Sequence, residues 1–435
     1  MQLIKIFYFG FALLFSSIVM AAEAKEEVKD SNKKKEDVKE EVKTETKTDG
    51  GFEIYRSQDD RYWFKFHGIA KVDAGFFTSD FEDEQQEFPN GTNIRALETN
   101  FNGGIGEDLS YSIVLGFETG TVTINDTFFT YSGFKDTEIS IGQIISPFCL
   151  ENANSSKWIP FMERSLPVIA LRPCMGIGAN FNTWGKHYGI IFASATVPHG
   201  QNKDTAIIHH RSDKLTHTLR AFYVPLNEDN KVIQIGASGV YADTNATFRD
   251  NSPNIDGRRF ASRPEIKARN TPNTVDSGNR LLVDHYDEFA FELSGQRGPF
   301  VIGAEYLQAY IHRWFNPGLH FYGWHAQAAY VLTGESRIYK IKNGSYGQII
   351  PKGPYGAFEV AARYSMVNLN DEDIHGGKEN NVTLSLSWYI NQNLLIMANY
   401  INASIDPTQA LGDNFNPSPN HRHLNIFGLR SQIVW

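Results

Sequence analysis

Residues 381–400 read NVTLSLSWYINQNLLIMANY, and none of these twenty side chains is charged. A membrane-spanning helix needs about 20 predominantly apolar residues, whereas this stretch contains five asparagine or glutamine residues and two serines. With a period of two, Val382, Leu384 and Leu386 fall on one face and polar residues fall on the other. The NQN segment at 391–393 is composed of residues that favour a turn, and after it apolar residues again occupy every second position. The stretch therefore predicts a β-hairpin with one apolar face.

The same alternation recurs along the chain, as in YWFKFHGIAKVDAGFF from Tyr62 onward. A soluble β-sandwich would show this period too. The connections are more informative, because short turns at 226–231, 297–300 and 390–393 are interspersed with long polar loops, which we place at 242–284, 312–318 and 402–422. Outer-membrane barrels have short periplasmic turns and long external loops. The length of the domain predicts an all-β, transmembrane antiparallel barrel of about 16 strands.

The chain ends in HLNIFGLRSQIVW, which places Phe427, Leu429, Ile433 and Trp435 at alternate positions. An aromatic last residue is typical of the closing strand that the bacterial barrel-assembly machinery recognises. In lipid every backbone polar group needs a partner, so a β-structure must close on itself. This strand is expected to pair with the first one.

The N-terminal region divides into two parts before the barrel. Residues 1–22 contain Lys5, a short apolar run and small residues near Ala22, which predicts a cleaved signal peptide rather than an uncleaved anchor. Residues 23–50 alternate charges with almost no apolar residue, so we expect a disordered or loosely helical periplasmic leader. A trimerising coiled coil there is the alternative, although a heptad seam is not sustained. Residues 51–435 are read as one barrel domain.

The formal net charge is −9, and no basic run occurs outside the leader. This composition argues against a nucleic-acid partner. The sequence contains no cofactor-binding motif, so no cofactor is expected.

Several stretches resemble the phosphate-selective porin O and P family of Gram-negative outer membranes. They are ISIGQIISPFCLEN at 139–152, SSKWIPFMERS at 155–165, the block from YVLTGE at 330–335 through residue 371, and the two closing strands. The resemblance runs from about Gly51 to the end. It implies a 16-stranded homotrimeric porin in the cell outer membrane whose third extracellular loop folds inward and narrows the channel.

That loop is expected between Ile144 and Gly176, and its four prolines agree with an irregular segment. Family members select anions with basic residues at the constriction. The resemblance therefore marks Lys157 and Arg164 as the best constriction candidates, together with Glu163 and Arg172. The alternative is that Glu163 and Arg164 form a structural ion pair that pins the loop to the wall.

The period-two alternation of the strands assigns a further set of polar residues to the inner face of the barrel, which lines the lumen. A phosphate pathway would need a dense positive ladder, but acidic residues such as Asp73, Glu288 and Glu292 share these faces, so a weakly selective general pore remains the alternative. The predicted lumen-lining residues are Lys65, His67, Lys71, Arg220, Arg363, Arg430, Glu118 and Glu359.

Cys149 and Cys174 are the only cysteines and lie near the two ends of the expected inward loop. An even pair in an oxidising periplasm favours a disulfide, which would contribute about 3 kcal/mol by the chain-entropy estimate. Two buried free thiols are the alternative.

Histidines at 209, 210, 421 and 423 lack the spacing of a metal site, so no metal is expected. A barrel lipase is disfavoured because no G-x-S-x-G motif appears, and a surface adhesin remains a further alternative. We expect passive diffusion of small hydrophilic solutes, with an anion preference that could extend to phosphate. The expected partners are outer-membrane lipid and lipopolysaccharide, small anions, the barrel-assembly machinery and two further copies of the chain.

Overall fold

The structure is a computed structural model that describes residues 52–79, 88–118, 120–173, 176–196, 215–243, 248–249, 252–253, 258–269, 271–278, 281–406 and 422–435. Residues Gly50–Trp435 form one compact unit. The signal peptide, the leader, Cys174 and the histidines at 209, 210 and 421 lie outside the described residues. No helix in the described part of the chain is long and apolar enough to span a membrane.

In the described residues the secondary structure is almost entirely β, with two short α-helices, α1 (Leu150–Ala153) and α2 (Leu166–Leu171). The strands are β1 (Phe52–Arg56), β2 (Tyr62–Ser79), β3 (Gly91–Ile105), β4 (Leu109–Gly116), β5 (Thr123–Ile124), β6 (Thr127–Phe134), β7 (Thr137–Ile144), β8 (Gly176–Trp184), β9 (Tyr188–Thr196), β10 (Leu215–Glu228), β11 (Lys231–Asp243), β12 (Phe248–Arg249), β13 (Ser252–Pro253), β14 (Ala261–Ser262), β15 (Val275–Asp276), β16 (Val283–Arg297), β17 (Phe300–Arg313), β18 (Leu319–Val331), β19 (Arg337–Lys340), β20 (Ser345–Ile349), β21 (Ala357–Asp371), β22 (Ile374–Tyr389), β23 (Leu394–Asp406) and β24 (Arg422–Val434).

Sixteen of these strands form a closed antiparallel barrel, which confirms the predicted fold class. The barrel runs through β2–β4, β6–β11, β16–β18 and β21–β24. The closing strand β24 pairs with β2, where Val434 lies opposite Ile69. Strand β1 pairs with β2 beyond the end of β24. Each of the sixteen wall strands is therefore hydrogen-bonded to a neighbour on both sides, as a membrane barrel requires.

The side chains alternate between an apolar outer face and a polar inner face, as the period of two predicts. On β16, Phe291 and Leu293 are 56% and 54% exposed, whereas Glu292 between them is 3% exposed. The hairpin at 381–400 follows the same rule, because Leu384 is exposed and Ser385 is buried. The exposed apolar side chains therefore belong to the outer face of the barrel wall.

The two ends of the barrel differ, also as predicted. At one end, two-residue turns join β10 to β11 and β16 to β17, and Asn230 and Gly298 adopt positive φ values of 58° and 57° there. Asparagine and glycine tolerate this left-handed region. Two loop boundaries were wrong: residues 314–318 form only a short loop, and β23 continues to Asp406 because the alternation persists beyond residue 402.

Three segments fold into the bore. The constriction loop, described over residues 145–173, lies between β7 and β8 where the sequence predicts it. The inner loop, described over residues 258–269, 271–278 and 281–282, precedes β16. The inner hairpin, residues 332–356, carries β19 and β20 and connects β18 to β21. Apolar residues of the constriction loop pack with the wall, and those of the inner loop do the same.

Candidate functional site

The constriction loop packs against one side of the barrel wall. Phe161 packs against β18 and β21, and Trp158 packs against β2 and β24. The inner faces of β3, β4 and β8 instead carry small, half-buried polar side chains such as Asn100, Ser112 and Asn180. The open part of the bore therefore lies between the constriction loop and the wall formed by β3, β4 and β6–β8.

Glu163 attaches the constriction loop to strands β3 and β24 of the barrel wall. Its carboxylate accepts hydrogen bonds from Arg95 Nε at 2.6 Å and Nη2 at 2.9 Å, and from Arg430 Nη2 at 3.1 Å. Burial alone would raise the pKa of Glu163, but the guanidinium of Arg95, with help from Arg430, holds this pKa well below its ordinary value. Glu163 therefore forms a structural ion pair, as the alternative prediction held, but its partners are Arg95 and Arg430 of the wall rather than Arg164.

A second buried network holds the middle of the loop. Arg363 of β21 binds Glu151 of the constriction loop at 3.0 Å and Glu265 of the inner loop at 2.6 Å. Ser165 Oγ donates to Glu151 Oε2 at 2.6 Å, and it lies 3.1 Å from His325 Nδ1. All five side chains are buried. Arg363 therefore joins the wall to both inward loops, and its charge is matched by carboxylates.

The other predicted constriction residues are half-buried. Arg164 donates to the loop's own carbonyl oxygens, through Nε to Glu151 at 3.2 Å and through Nη2 to Asn154 at 3.0 Å. Arg172 Nη1 donates to the Asn152 side chain at 3.1 Å. The backbone oxygen of Lys157 accepts a hydrogen bond from the β24 glutamine at 3.0 Å. The selection of anions by these residues stays a prediction.

Two predicted lumen arginines lie on the inner face in tight ion pairs. Arg220 and Glu292 are 2.8 Å apart, and Arg220 Nη2 also donates to the carbonyl of Gly344 in the inner hairpin at 2.9 Å. Arg430 and Asp73 are 2.7 Å apart. All four charged side chains are almost completely buried. Their guanidinium donors are committed to protein partners.

The predicted lumen residues of β2 also contact neighbouring elements. Lys71 is buried and its Nζ donates to the backbone oxygen of Ser156 in the constriction loop at 2.7 Å. Lys65 lies 3.7 Å from Glu53 of β1. His67 Nε2 lies 2.9 Å from an asparagine amide of β3.

Glu359 is buried and pairs with Arg337 of the inner hairpin at 2.6 Å, and Tyr389 Oη donates to the same carboxylate at 2.9 Å. Burial alone would lower the pKa of Arg337, but the Glu359 carboxylate outweighs burial and raises it. Arg337 also donates to the carbonyl of Trp158, which ties the hairpin to the constriction loop. This pairing therefore fixes two inward segments together.

The inner loop brings basic residues to the bore that the sequence argument did not select. Arg263 is half-buried, and its Nε donates to the carbonyl of Thr271 at 2.8 Å. Its two terminal nitrogens have no hydrogen-bond partner among the described residues. Burial lowers its pKa, as do the nearby charges of Arg95 and Arg259, whereas Glu163 opposes the change. The sequence signal for these residues was the segment RRFASRPEIKAR at 258–269, which has five basic residues and one acidic residue, so the expectation of no basic run outside the leader was wrong.

Acidic residues lie on the other side of the open bore. Glu98 of β3, Glu118 after β4 and Asp126 before β6 are all half-buried. Burial raises the pKa of Asp126 to about 6, nearby Glu98 adds to this, and Arg164 partly opposes it. Arginines on the inward loops therefore face carboxylates on the wall, and ions must pass through this field.

Cys149 is buried at the start of α1, and its backbone N–H donates to Ser238 Oγ at 3.1 Å. Burial raises the pKa of the Cys149 thiol. Because Cys174 lies outside the described residues, the disulfide stays a prediction.

A closed 16-stranded barrel with an apolar outer wall and a polar bore narrowed by inward loops defines an outer-membrane porin. A profile of the family described as phosphate-selective porin O and P matches residues 64–434, so the chain belongs to this family. This confirms the resemblance drawn from the sequence and places the protein in the outer membrane of a Gram-negative bacterium.

Relatives and solved structures agree with this assignment. Porin O of Pseudomonas aeruginosa is 25% identical over 386 residues, which cover 82% of this chain and 86% of that protein. The fold is similar to the outer-membrane channel DcaP of Acinetobacter baumannii, with a TM-score of 0.53 and 11% identity over 88% of this chain and 99% of that one. It is also similar to OmpT, an outer-membrane protein of Vibrio cholerae, with a TM-score of 0.51 and 10% identity over 86% and 98% of the two chains.

Proposed function

We propose that this porin conducts small hydrophilic solutes by passive diffusion with a preference for anions, including phosphate. The observation that carries the preference is Arg263, whose half-buried guanidinium has two terminal nitrogens without partners among the described residues. A planar guanidinium can bind a phosphate oxyanion through two parallel hydrogen bonds. The description of the family as phosphate-selective porins supports this proposal.

The arrangement of the paired arginines explains why the preference would be mild. Arg220, Arg363 and Arg430 are matched by buried carboxylates, so they stabilise the inward segments and add little net field to the bore. Selection then rests on Arg263, opposed by the acidic side chains of the facing wall. Weak binding of this kind permits release as well as entry.

The decisive measurement is the reversal potential of single channels in asymmetric KCl, with and without added phosphate. Arg263→Gln should lower the anion-to-cation permeability ratio and weaken phosphate block. Arg263→Lys should keep most of the anion preference, because the charge remains, but lose phosphate block, because the two-pronged donor is gone. Arg269→Gln removes the same charge from the exposed end of the same segment and should have a smaller effect.

An unchanged permeability ratio in Arg263→Gln would overturn the proposed role of this residue. A ratio near that of bulk KCl in the wild-type channel would instead favour a non-selective general diffusion pore.

The remaining assignments belong to the same proposal. The chain is exported by its signal peptide, inserted by the barrel-assembly machinery among lipid and lipopolysaccharide, and assembled as a homotrimer. It catalyses no reaction, and it uses no nucleic acid or cofactor. Cross-linking of the full chain in detergent tests the trimer, since a single monomeric band would contradict it.

A further inference from the structure

A second cluster of chemically active side chains lies on the outer wall, away from the bore. His285 of β16 and His312 of β17 are directly opposite each other in the antiparallel ladder. Asp287 is two residues further along β16, and residues at i and i+2 share one face of a strand. One nitrogen of each imidazole and one carboxylate oxygen of Asp287 all lie within 4.8 Å of one another. The ladder register therefore brings three metal-ligand types together.

The cluster is open to the outside. The side chains of His285, Asp287 and His312 are 28%, 31% and 51% exposed. The imidazole rings stack with centroids 4.1 Å apart, and His312 Nε2 lies 3.5 Å from Asp287 Oδ2. Zinc ligands lie about 2.0–2.2 Å from the metal, so modest rotations of these partly exposed side chains would direct all three at one ion.

A neighbouring carboxylate orients one of the two imidazoles. His285 Nδ1 lies 2.9 Å from Asp284 Oδ2. A proton on Nδ1 donates to Asp284, which leaves the lone pair of Nε2 available. Metal-binding histidines characteristically donate their second nitrogen to a carboxylate in this way, and that partner increases the basicity of the ligand.

The position along the barrel leaves room for further ligands. The cluster lies at the loop end of β16 and β17, beyond the exposed apolar residues Phe289 and Phe291 of the same outer face. A second group, formed by Glu151, Glu305 and His325, also has suitable atoms. That group is fully buried, and Glu151 is already bound by Ser165 and Arg363. The outer cluster is the one with free access.

We propose that His285, Asp287 and His312 bind a divalent transition-metal ion of the Zn²⁺, Ni²⁺ or Cu²⁺ class, with Asp284 as the orienting partner. Two imidazoles and one carboxylate match the ligand preferences of these ions, whereas Mg²⁺ and Ca²⁺ prefer oxygen ligands. The remaining coordination positions face outward and hold water or an external oxygen ligand. The site is independent of the conduction pathway.

The test uses the full-length protein in detergent, stripped with a chelator and titrated with Zn²⁺ against a chromogenic competitor. The wild type should bind one Zn²⁺ more than the His285→Gln/His312→Gln double variant, and excess Mg²⁺ should not displace it. Asp284→Asn should weaken this site by roughly 10- to 100-fold. Visible absorption bands of bound Co²⁺ should disappear in the double variant.

His320→Gln is the matched control, because His320 lies on neighbouring β18 and stacks on Tyr310 outside the cluster. It should leave the stoichiometry unchanged. Equal Zn²⁺ binding by the wild type and the double variant would overturn the proposal. The channel conductance of the double variant should equal that of the wild type, so a failure here and a failure of the anion proposal are separable.

Discussion

Protonation of Asp126 should make the channel more anion-selective as the pH falls. Burial and nearby Glu98 raise the pKa of this carboxyl to about 6, while Arg164 partly opposes the increase. Above this pKa, Asp126 contributes a negative charge to the acidic side of the open bore. Below it the charge is lost, while the arginines of the inward loops stay charged. The anion-to-cation permeability ratio should therefore rise between about pH 7.5 and about pH 5.

The size of the change follows from the pKa. With a pKa of about 6, the mean charge on Asp126 changes by roughly 0.9 between about pH 7.5 and about pH 5. A unit charge ~6 Å from a permeating ion contributes about 0.7 kcal/mol in an aqueous dielectric. Screening at ~0.1 M salt reduces this value by nearly half, and the effect has opposite signs for cations and anions. The permeability ratio should change roughly threefold.

The assay is the reversal potential of the channel in planar bilayers under a KCl gradient at the two pH values. Asp126→Asn should already show at pH 7.5 the ratio that the wild type reaches at pH 5, and it should respond little to pH. Asp136→Asn is the control, because Asp136 is exposed in the turn between β6 and β7 at the opposite end of the barrel. A full pH response in Asp126→Asn would show that another group titrates.

Three further substitutions test the inward segments. Glu163→Gln leaves Arg95 without its carboxylate partner, so the loop tip should loosen and the single-channel current should become noisier. Lys157→Glu should move the reversal potential toward cation preference if this side chain faces the pore; no movement would show that it does not. Arg337→Met leaves buried Glu359 unpaired and should cost about 3–5 kcal/mol, seen as a lower urea midpoint of unfolding, whereas Arg337→Met/Glu359→Leu should recover most of the loss.

The barrel could be predicted because its signal is local. In β22, Val382 and Leu384 are exposed while Thr383 and Ser385 are buried, and this alternation is visible in consecutive residues. The turn at 391–393 is equally local, since Asn391 Oδ1 accepts hydrogen bonds from two backbone N–H groups within the turn. The constriction loop could be bounded because prolines exclude a central strand.

The contents of the bore could not be predicted in the same way. Arg363 meets Glu151 and Glu265, which are 212 and 98 residues away in the sequence. The alternation of side chains along the strand assigns Arg363 to the inner face, but it cannot show that two carboxylates from different loops neutralise this arginine. The inner hairpin at 332–356 has buried residues in succession, as in β20 where all five are buried, so it gives no alternating pattern.

The ion-pair partners of the arginines distinguish the charges that stabilise the folded porin from the charges that can interact with permeating ions. A guanidinium held in a low-dielectric site by a carboxylate cannot exchange that partner for a passing anion without leaving the carboxylate buried and unpaired. Arg220 and Arg430 are in this position. Within the part of the chain that the structure describes, Arg263 has no such partner, since it bonds only a carbonyl oxygen through one nitrogen. Its position on a loop therefore allows selectivity to change by substitution in the inner loop while the buried pairs that stabilise the barrel stay intact.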